Sequence, residues 1–496
     1  MHTGNGEEFD VVVAGGGPGG STLAAIVAMR GHRVLVLENE QFPRYQIGES
    51  LLPPTIHGIC RLTGCADEVA RAGFTRKSGG TFKWGANPDP WTFSFSVEPR
   101  MAGPTSFAYQ VERMKFDSIL LGNARRVGAE VREKCTVRSV FDENGRAAGV
   151  SYYDAGGTEH LVRAQYVVDA SGHKSRIYRS VGGSRNYSDF FRNVALFGYF
   201  ENGRRLPEPN SGNIFSCAFD SGWFWYIPLS PTMTSVGAVV HQDLANKIHG
   251  DPEGMLLKLI DESPLISGYL ADARRITDGV YGQVRVRKDY SYCHTTFWRP
   301  GLVLIGDAAC FVDPVFSSGV HLATYSALLA GRSINSVLEG AAGEEAAFRE
   351  FEARYRREYG VFYEFLVSFY EMHADEASYF WEARKVTNSN RSDLEAFVGL
   401  VGGVSSGEFR LGDAEAIATR LSSSSKDFGN AVQQLADSGT GSMVPLFKTP
   451  VVRQVMYESS QLQARADLGA EFDTEQPFFD GGLISSPDGL LWANPE

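Results

Sequence analysis

Glycines at 15, 17 and 20 are spaced to hold a pyrophosphate. They follow the apolar run Val11–Val13 and precede a helical pattern over Ser21–Arg30. In such a strand–turn–helix unit Gly15 makes the tight turn, Gly17 admits phosphates to the backbone, and Gly20 lets helix and strand pack closely. The helix N-terminus, entered through Pro18, then presents unpaired N–H groups and the positive end of its dipole. Val34–Leu37 reads as the next strand. Glu38, 18 residues beyond Gly20, stands where a carboxylate hydrogen-bonds a ribose hydroxyl. The chemistry implied is dinucleotide binding. Two other stretches carry reactive or shape-setting side chains. Lys77 sits in Arg76-Lys-Ser-Gly-Gly-Thr-Phe82, where two basic residues lead into a small, Gly-rich, strand-like run. Most lysines are solvated; one so placed is also a candidate donor or nucleophile. Trp223-Phe-Trp-Tyr-Ile-Pro228 puts two tryptophans on one side of a strand, as core packing or as a wall.

The elements that must position these residues follow from the hydrophobic pattern. Val167-Val-Asp-Ala-Ser-Gly172 and Gly301-Leu-Val-Leu-Ile-Gly-Asp307 are further buried strands, each running into a glycine and an acidic residue. Ligands of doubly wound sheets bind at such carboxyl ends, so Asp169, Gly172, Gly306 and Asp307 are expected beside the dinucleotide. A helix over His321–Leu338 begins at Val315-Phe-Ser-Ser-Gly-Val320, a loop that can offer backbone N–H groups to an anion. Phe107–Asp117 is expected to open a helix running to about Gly128, with Gln110 and Arg113 one turn apart toward the ligand. A helix is also expected near Thr55–Leu62, a strand at Trp91–Ser96, and a hairpin over Val137–Tyr153 turning at Asn144-Gly145. Short aromatic-rich runs at Val194–Phe200, Asn213–Phe219, Trp223–Pro228 and Thr234–Val240 read as an antiparallel sheet on the substrate side.

Beyond Gly343 the chain turns helical, with an aromatic stripe from Glu350 to Leu366 that reads as core. Leu421–Lys426 reads as a surface loop, and a small hairpin is expected around Pro487-Asp-Gly489. The fold class is therefore α/β: a Rossmann-like module over 1–345, an antiparallel insert over about 186–280, and a mostly helical region over 346–496. Bulk properties bound the function. The 496 residues carry a net charge of −12, which argues against nucleic acid as the main partner. No run approaches the roughly 18 apolar residues of a membrane span. The N-terminus enters the first strand through polar residues, and the six cysteines form no C-x-x-C pair, so a cytoplasmic, metal-free protein is expected.

Gly15–Gly20, the Arg113 segment, Asp169–Gly172 and Gly306-Asp307 together resemble the FAD-dependent monooxygenases of the p-hydroxybenzoate hydroxylase type over about residues 8–345. Within that family, Trp223-Phe-Trp-Tyr-Ile-Pro228 is similar to the W-x-W-x-I-P signature of flavin-dependent halogenases, and Lys77 stands where those enzymes keep an essential lysine. The runs Gly48-Glu-Ser-Leu-Leu-Pro53, Lys288–Tyr292 and Phe311–Ala323 resemble the chondrochloren halogenase subgroup most. Next come halogenases of enediyne biosynthesis that act on a β-tyrosyl group held by a carrier protein. The resemblance implies FAD on Gly15, Gly17, Pro18, Gly20, Glu38, Arg44, Gly48, Glu49, Ser50, Gln110, Arg113, Asp169, Gly172, Gly306, Asp307, Gly319 and Val320. It implies a chloride seat at Ser317, Ser318 and Gly319.

Two departures stand out. Phe316 replaces the glutamate that tryptophan halogenases keep before the halide turn. Asp169-Ala-Ser-Gly172 stands where the hydroxylases carry a Gly-Ala-Asp-Gly motif that contacts NADPH. With no second nucleotide fingerprint, FADH2 is expected from a separate flavin reductase. The implied activity is chlorination of an electron-rich, tyrosyl-like phenol on a peptidyl carrier protein in antibiotic-type biosynthesis. In it a flavin hydroperoxide made with O2 turns chloride into hypochlorous acid, Lys77 aims it, and Trp223 and Trp225 keep substrate from the flavin. Arg354, Arg356 and Arg357 are a candidate carrier-docking cluster, or simply a solvated helix face. The alternatives are an aromatic hydroxylase, a saturating reductase of the geranylgeranyl type, a non-catalytic flavin module, or a halogenase of a free phenol.

Overall fold

The computed structural model describes residues 7–84, 89–95, 104–288, 290–371, 477, 479 and 481–495. Its first sheet has a parallel centre in the order Glu130–Arg132, Val34–Leu37, Glu7–Ala14, Glu159–Asp169, Leu302–Leu304. These strands are nearly continuous apolar runs because both faces are covered. The helix Pro18–Ala28, buried along its whole length, packs between this sheet and the helix Ser318–Leu338. Register brings the strand ends together: Ala14 lies opposite both Leu37 and Asp169, and Asp169 lies opposite Leu304. The segments that leave those ends, at Gly15, Glu38, Ala170 and Ile305, therefore meet along one edge. The expected hairpin forms from Thr136–Glu143 and Arg146–Tyr153, with Asn144 and Gly145 both at positive φ (50° and 79°), as a tight two-residue turn requires.

The second sheet is antiparallel through Asn193–Glu201, Met233–His241, Gly222–Pro228 and Ile214–Phe219, then continues through Gly79–Lys83 and Trp91–Ser94. The four antiparallel strands are buried on both faces. Phe197, Tyr199, Trp223, Trp225 and Ile227 join the main core, while Leu196, Phe200, Phe224 and Tyr226 pack under the helices Pro252–Asp261 and Pro264–Tyr269. The period-2 alternation thus separates a site-facing row from a purely structural one.

Three expectations change. Ala108–Gln110 is a strand, paired with Thr75–Lys77, and the helix begins only at Arg113. That pairing to a segment more than 30 residues away overrides the local helical pattern. The helix near Thr55 is wound as a π-helix over Pro54–Cys60. The Glu344–Glu371 helix does bury its aromatic stripe, through Phe348, Phe351, Tyr355, Tyr359 and Phe362. However, Arg356 on it is buried too: it pairs with Glu352 and donates to the carbonyls of His294 and Thr295. Arg354 pairs with Glu350 and donates to the Leu483 carbonyl. Those two arginines tie the helix down rather than facing solvent. Leu421–Lys426 lies outside the described residues. The terminal hairpin pairs Ile484–Ser485 with Trp492–Ala493. Among the described residues no helix is long and apolar enough to cross a membrane.

Candidate active site

A cavity of about 420 Å³ opens between the ends of the parallel strands and the inner row of the antiparallel sheet. Its phosphate end is built from backbone. Gly15 has φ 104°, and a Cβ there would lie 2.5 Å from the Ala170 carbonyl oxygen; at Gly20 a Cβ would lie 1.9 Å from that of Gly15. Gly17 precedes a helix whose first turn has Pro18 and no side-chain cap, leaving its N–H groups aimed outward. Gly15, Gly17 and Pro18 line the cavity, whereas Gly20 lies behind it and sets the helix–strand distance. Glu38 lines it as well, held by the N–H groups of Gly16 (2.7 Å) and Glu40 (2.8 Å).

Further along, Arg44 and Arg113 converge on Asp117, which is fully buried. Arg113 also donates to the carbonyls of Ile47 and Gly48, at 2.5 and 3.2 Å. Charge-assisted bonds of this kind lock the Gly48-Glu49-Ser50 loop onto the helix. A buried Ser50 hydroxyl on the wall has no partner. Gly172, Gly306 and Asp307 complete this side, and burial pushes the Asp307 carboxyl up to about 6 against the pull of Arg113, Arg185 and Arg287. An uncapped helix start, glycine-only contacts, a positioned glutamate and an unpartnered hydroxyl fit a dinucleotide cofactor.

Besides Gly20, two expected cofactor residues lie outside the cavity lining. Asp169 is buried beneath the cavity, accepting from the Ser171 hydroxyl (2.5 Å) and N–H (3.1 Å) and from the Ser175 hydroxyl (2.5 Å). It fixes the turn that carries Gly172, and two serines within six residues were the available signal. Gln110, on its strand, donates to the Gly212 carbonyl at 3.1 Å and so joins the lysine strand to the antiparallel sheet.

At the far end of the cavity stands the loop before the Ser318–Leu338 helix. Ser317 holds a left-handed conformation (φ 62°), uncommon for a residue with a Cβ, and this turns the following N–H groups. Ser317, Gly319 and Val320 line the cavity; Ser318 lies just behind, fully buried, its hydroxyl without a partner. Lys77 reaches this loop from the other side. It is 2% exposed, and its Nζ donates to the Leu51 carbonyl (3.0 Å) and the Ser317 hydroxyl (3.3 Å). Burial drives its pKa down to about 7, and no carboxylate among the described residues offsets it.

Trp225 lines the cavity, its indole N–H donating to Ser235 at 3.2 Å. Trp223 lies deeper. Its indole N–H donates to the Tyr370 hydroxyl (2.6 Å), which donates to Asp313 (3.1 Å), and Asp313 accepts the Val315 N–H (3.1 Å). The tryptophan strand is thereby tethered to the Ser317 loop. Phe316 packs with Phe82 and Phe369, and Trp84 stacks on Phe369 at 4.4 Å, making an aromatic block beside the lysine. Sequence reading missed Tyr45 and Tyr199, whose hydroxyls meet at 2.7 Å beside Glu49; nothing in an aromatic-rich strand distinguishes such a tyrosine from core.

Comparison with known proteins agrees with this geometry. The family model described as tryptophan halogenase matches residues 10–105 and 97–424. The chain is 34% identical to a tryptophan 2-halogenase of Chondromyces crocatus over 417 residues, 82% of this chain and 77% of that protein. It is 35% identical to the flavin-dependent halogenase gsfI of Penicillium aethiopicum over 378 residues, 71% and 69% of the two chains. Among solved structures, the myxobacterial chondrochloren halogenase CndH superposes with a TM-score of 0.78 at 52% identity, covering 98% of this chain and all of that one. The flavin-dependent halogenase CmlS does so with a TM-score of 0.74 at 28% identity, over 99% and 84%. The glycine cradle, the buried lysine and the paired tryptophans thus sit in a protein that belongs to the tryptophan halogenase family of flavin-dependent halogenases.

Proposed function

We propose that this enzyme chlorinates an electron-rich phenolic ring, tyrosyl-like and presented on a peptidyl carrier protein, using FADH2 delivered by a separate flavin reductase. The observation that carries this reading is the buried Lys77 ammonium 3.3 Å from Ser317, on the loop that closes the cavity. Bound reduced FAD and O2 supply the oxidising power that converts chloride to hypochlorous acid. The chain's residues do the rest. The Ser317-Ser318-Gly319 turn offers chloride the start of a 21-residue helix and an unpartnered buried hydroxyl, without a basic residue at the halide itself. Trp225 and Ile227 wall the cavity, and Trp223 braces that wall through Tyr370.

Lys77 then receives the oxidant. With its pKa lowered to about 7, a large share is neutral amine at physiological pH. A neutral amine can attack the chlorine of hypochlorous acid: the N–Cl bond forms, the O–Cl bond breaks, and an amine proton leaves with hydroxide as water. The chloramine carries electrophilic chlorine to the aromatic side. Phe316, standing in place of a carboxylate, leaves the burden of aiming to Lys77 alone.

The test is an assay of the purified protein with FAD, a generic flavin reductase, and chloride or bromide. Free phenols and tyrosyl–carrier conjugates are offered side by side. Halogenated product from the conjugate is expected, and hydroxylated product would sink the reading. Equal turnover of free tyrosine would remove the carrier while leaving the halogenase.

A further inference from the structure

Glu49 ends a line of hydroxyls that runs along the cavity wall from the half-buried Tyr45. Tyr199 donates to Glu49 Oε1 at 2.7 Å, and the Tyr45 hydroxyl lies 2.7 Å from that of Tyr199. Tyr199 has given its one proton to Glu49, so Tyr45 donates to Tyr199, and every link is made. Glu49 and Tyr45 both line the cavity wall; Glu49 and Tyr199 are buried, and Tyr45 is half-buried under the Arg285 guanidinium, 3.8 Å above its ring. Among the described residues no hydrogen bond at normal geometry reaches Glu49 Oε2, although the Ser235 hydroxyl lies near enough to favour the carboxylate. A carboxyl placed only to hold the fold would have both oxygens engaged.

We propose that Tyr45, Tyr199 and Glu49 are a proton conduit that delivers one proton to the cavity for each chloride oxidised. This rests on the halogenase reading, whose stoichiometry creates the demand: Cl⁻, O2, FADH2 and one H⁺ give HOCl, FAD and H2O. Two of the three hydrogens come with the reduced cofactor, and the third must come from outside. Glu49 releases its carboxyl proton into the cavity. The Tyr199 proton shifts to Glu49 Oε1, the Tyr45 proton shifts to Tyr199, and solvent reprotonates Tyr45. No electron moves along the line.

The groups facing Glu49 leave it able to give a proton near neutrality. Burial raises its pKa to about 7, helped by Glu112 and opposed by Ser235, Tyr199 and Arg113. Tyr281, 4.6 Å from the Tyr199 ring, is bound to Glu112 and adds no cation.

Infrared difference spectra of the FAD-loaded protein, recorded across pH without turnover, read Glu49 directly. A neutral-carboxyl band that fades near pH 7 and is absent in Glu49→Gln is expected. In Tyr199→Phe, which loses the donor that steadies the anion, the band should persist to higher pH. In Tyr45→Phe it should stay near its place, while reductase-fed hypochlorous acid production, trapped with a β-diketone, falls about tenfold. That loss should carry a larger solvent isotope effect in both tyrosine variants. A Glu49 band that titrates near pH 4, or that ignores Tyr199→Phe, overturns the conduit. So does wild-type hypochlorous acid production by both tyrosine variants at every pH. The infrared arm needs no halogenation, so failure of the halogenase reading alone would appear as a titrating Glu49 in a protein that traps no oxidant.

Discussion

The two ends of the cavity are made of different material. The phosphate end is main chain: glycines admit no Cβ, and a helix start offers N–H groups. The Lys77 end is buried side chains in strained or costly states: an ammonium with no counter-ion among the described residues, a left-handed serine and a hydroxyl that none of those residues engages. The first end binds because its geometry is cheap for the residues present. The second reacts because its groups are held where they would not otherwise rest.

That contrast can be broken experimentally. The largest effect is expected from Lys77→Met: halogenation should fall about 10³-fold with flavin affinity unchanged, read by product mass spectrometry beside a flavin titration. Chlorination at the wild-type rate would remove the lysine from the reaction. Gly20→Ala should act at the other end. Its Cβ would meet the Gly15 carbonyl oxygen at 1.9 Å, so helix and turn must separate. A stability loss of about 1–3 kcal/mol and at least tenfold weaker FAD binding are expected, with the residual loaded enzyme turning over normally.

A subtler effect tests the cost of the reactive end. The native Lys77 pKa is depressed from 10.5 to about 7, so the folded state binds fewer protons than the unfolded between those values. Its penalty is complete below pH 7 and fades as pH rises toward 10.5. Lys77→Met should therefore melt roughly 2–4 °C higher than wild type at pH 6, with the gap closing by pH 10; equal melting at pH 6 would show that the ammonium is not desolvated. Smallest should be Trp223→Phe. It removes one buried hydrogen bond to Tyr370, worth about 1 kcal/mol, and loosens the tether to Asp313. A rise in hydroxylated or uncoupled product without loss of flavin is the expected signature.

The same contrast explains what was readable in sequence. Gly15, Gly17, Gly20 and Glu38 declare themselves because a main-chain cradle restricts which residue can occupy each place. The parallel strands are legible as apolar runs, and Asn144-Gly145 as a turn. Polar side chains do not say which way they point. Asp169 turned to two serines, Gln110 to a carbonyl in the turn before Ile214, and Arg356 into the core. In each case a partner distant in sequence or a local hydroxyl outbid the expected ligand. Lys77 was legible only by resemblance, since its burial arises from a strand pairing that no local pattern encodes.

That pairing has a mechanical consequence. The strand Ala108–Gln110 bonds along one side to Thr75–Lys77, and its other backbone groups meet the segment after Gly48: Leu51 N–H donates to Tyr109 (3.0 Å) and Val111 N–H to Glu49 (2.7 Å). Lysine and cofactor loop are therefore stitched through three residues and should open and close as one cooperative unit. Filling the cavity would then slow amide exchange at residues 75–77, which do not line it, so that the cofactor steadies the amine from a distance.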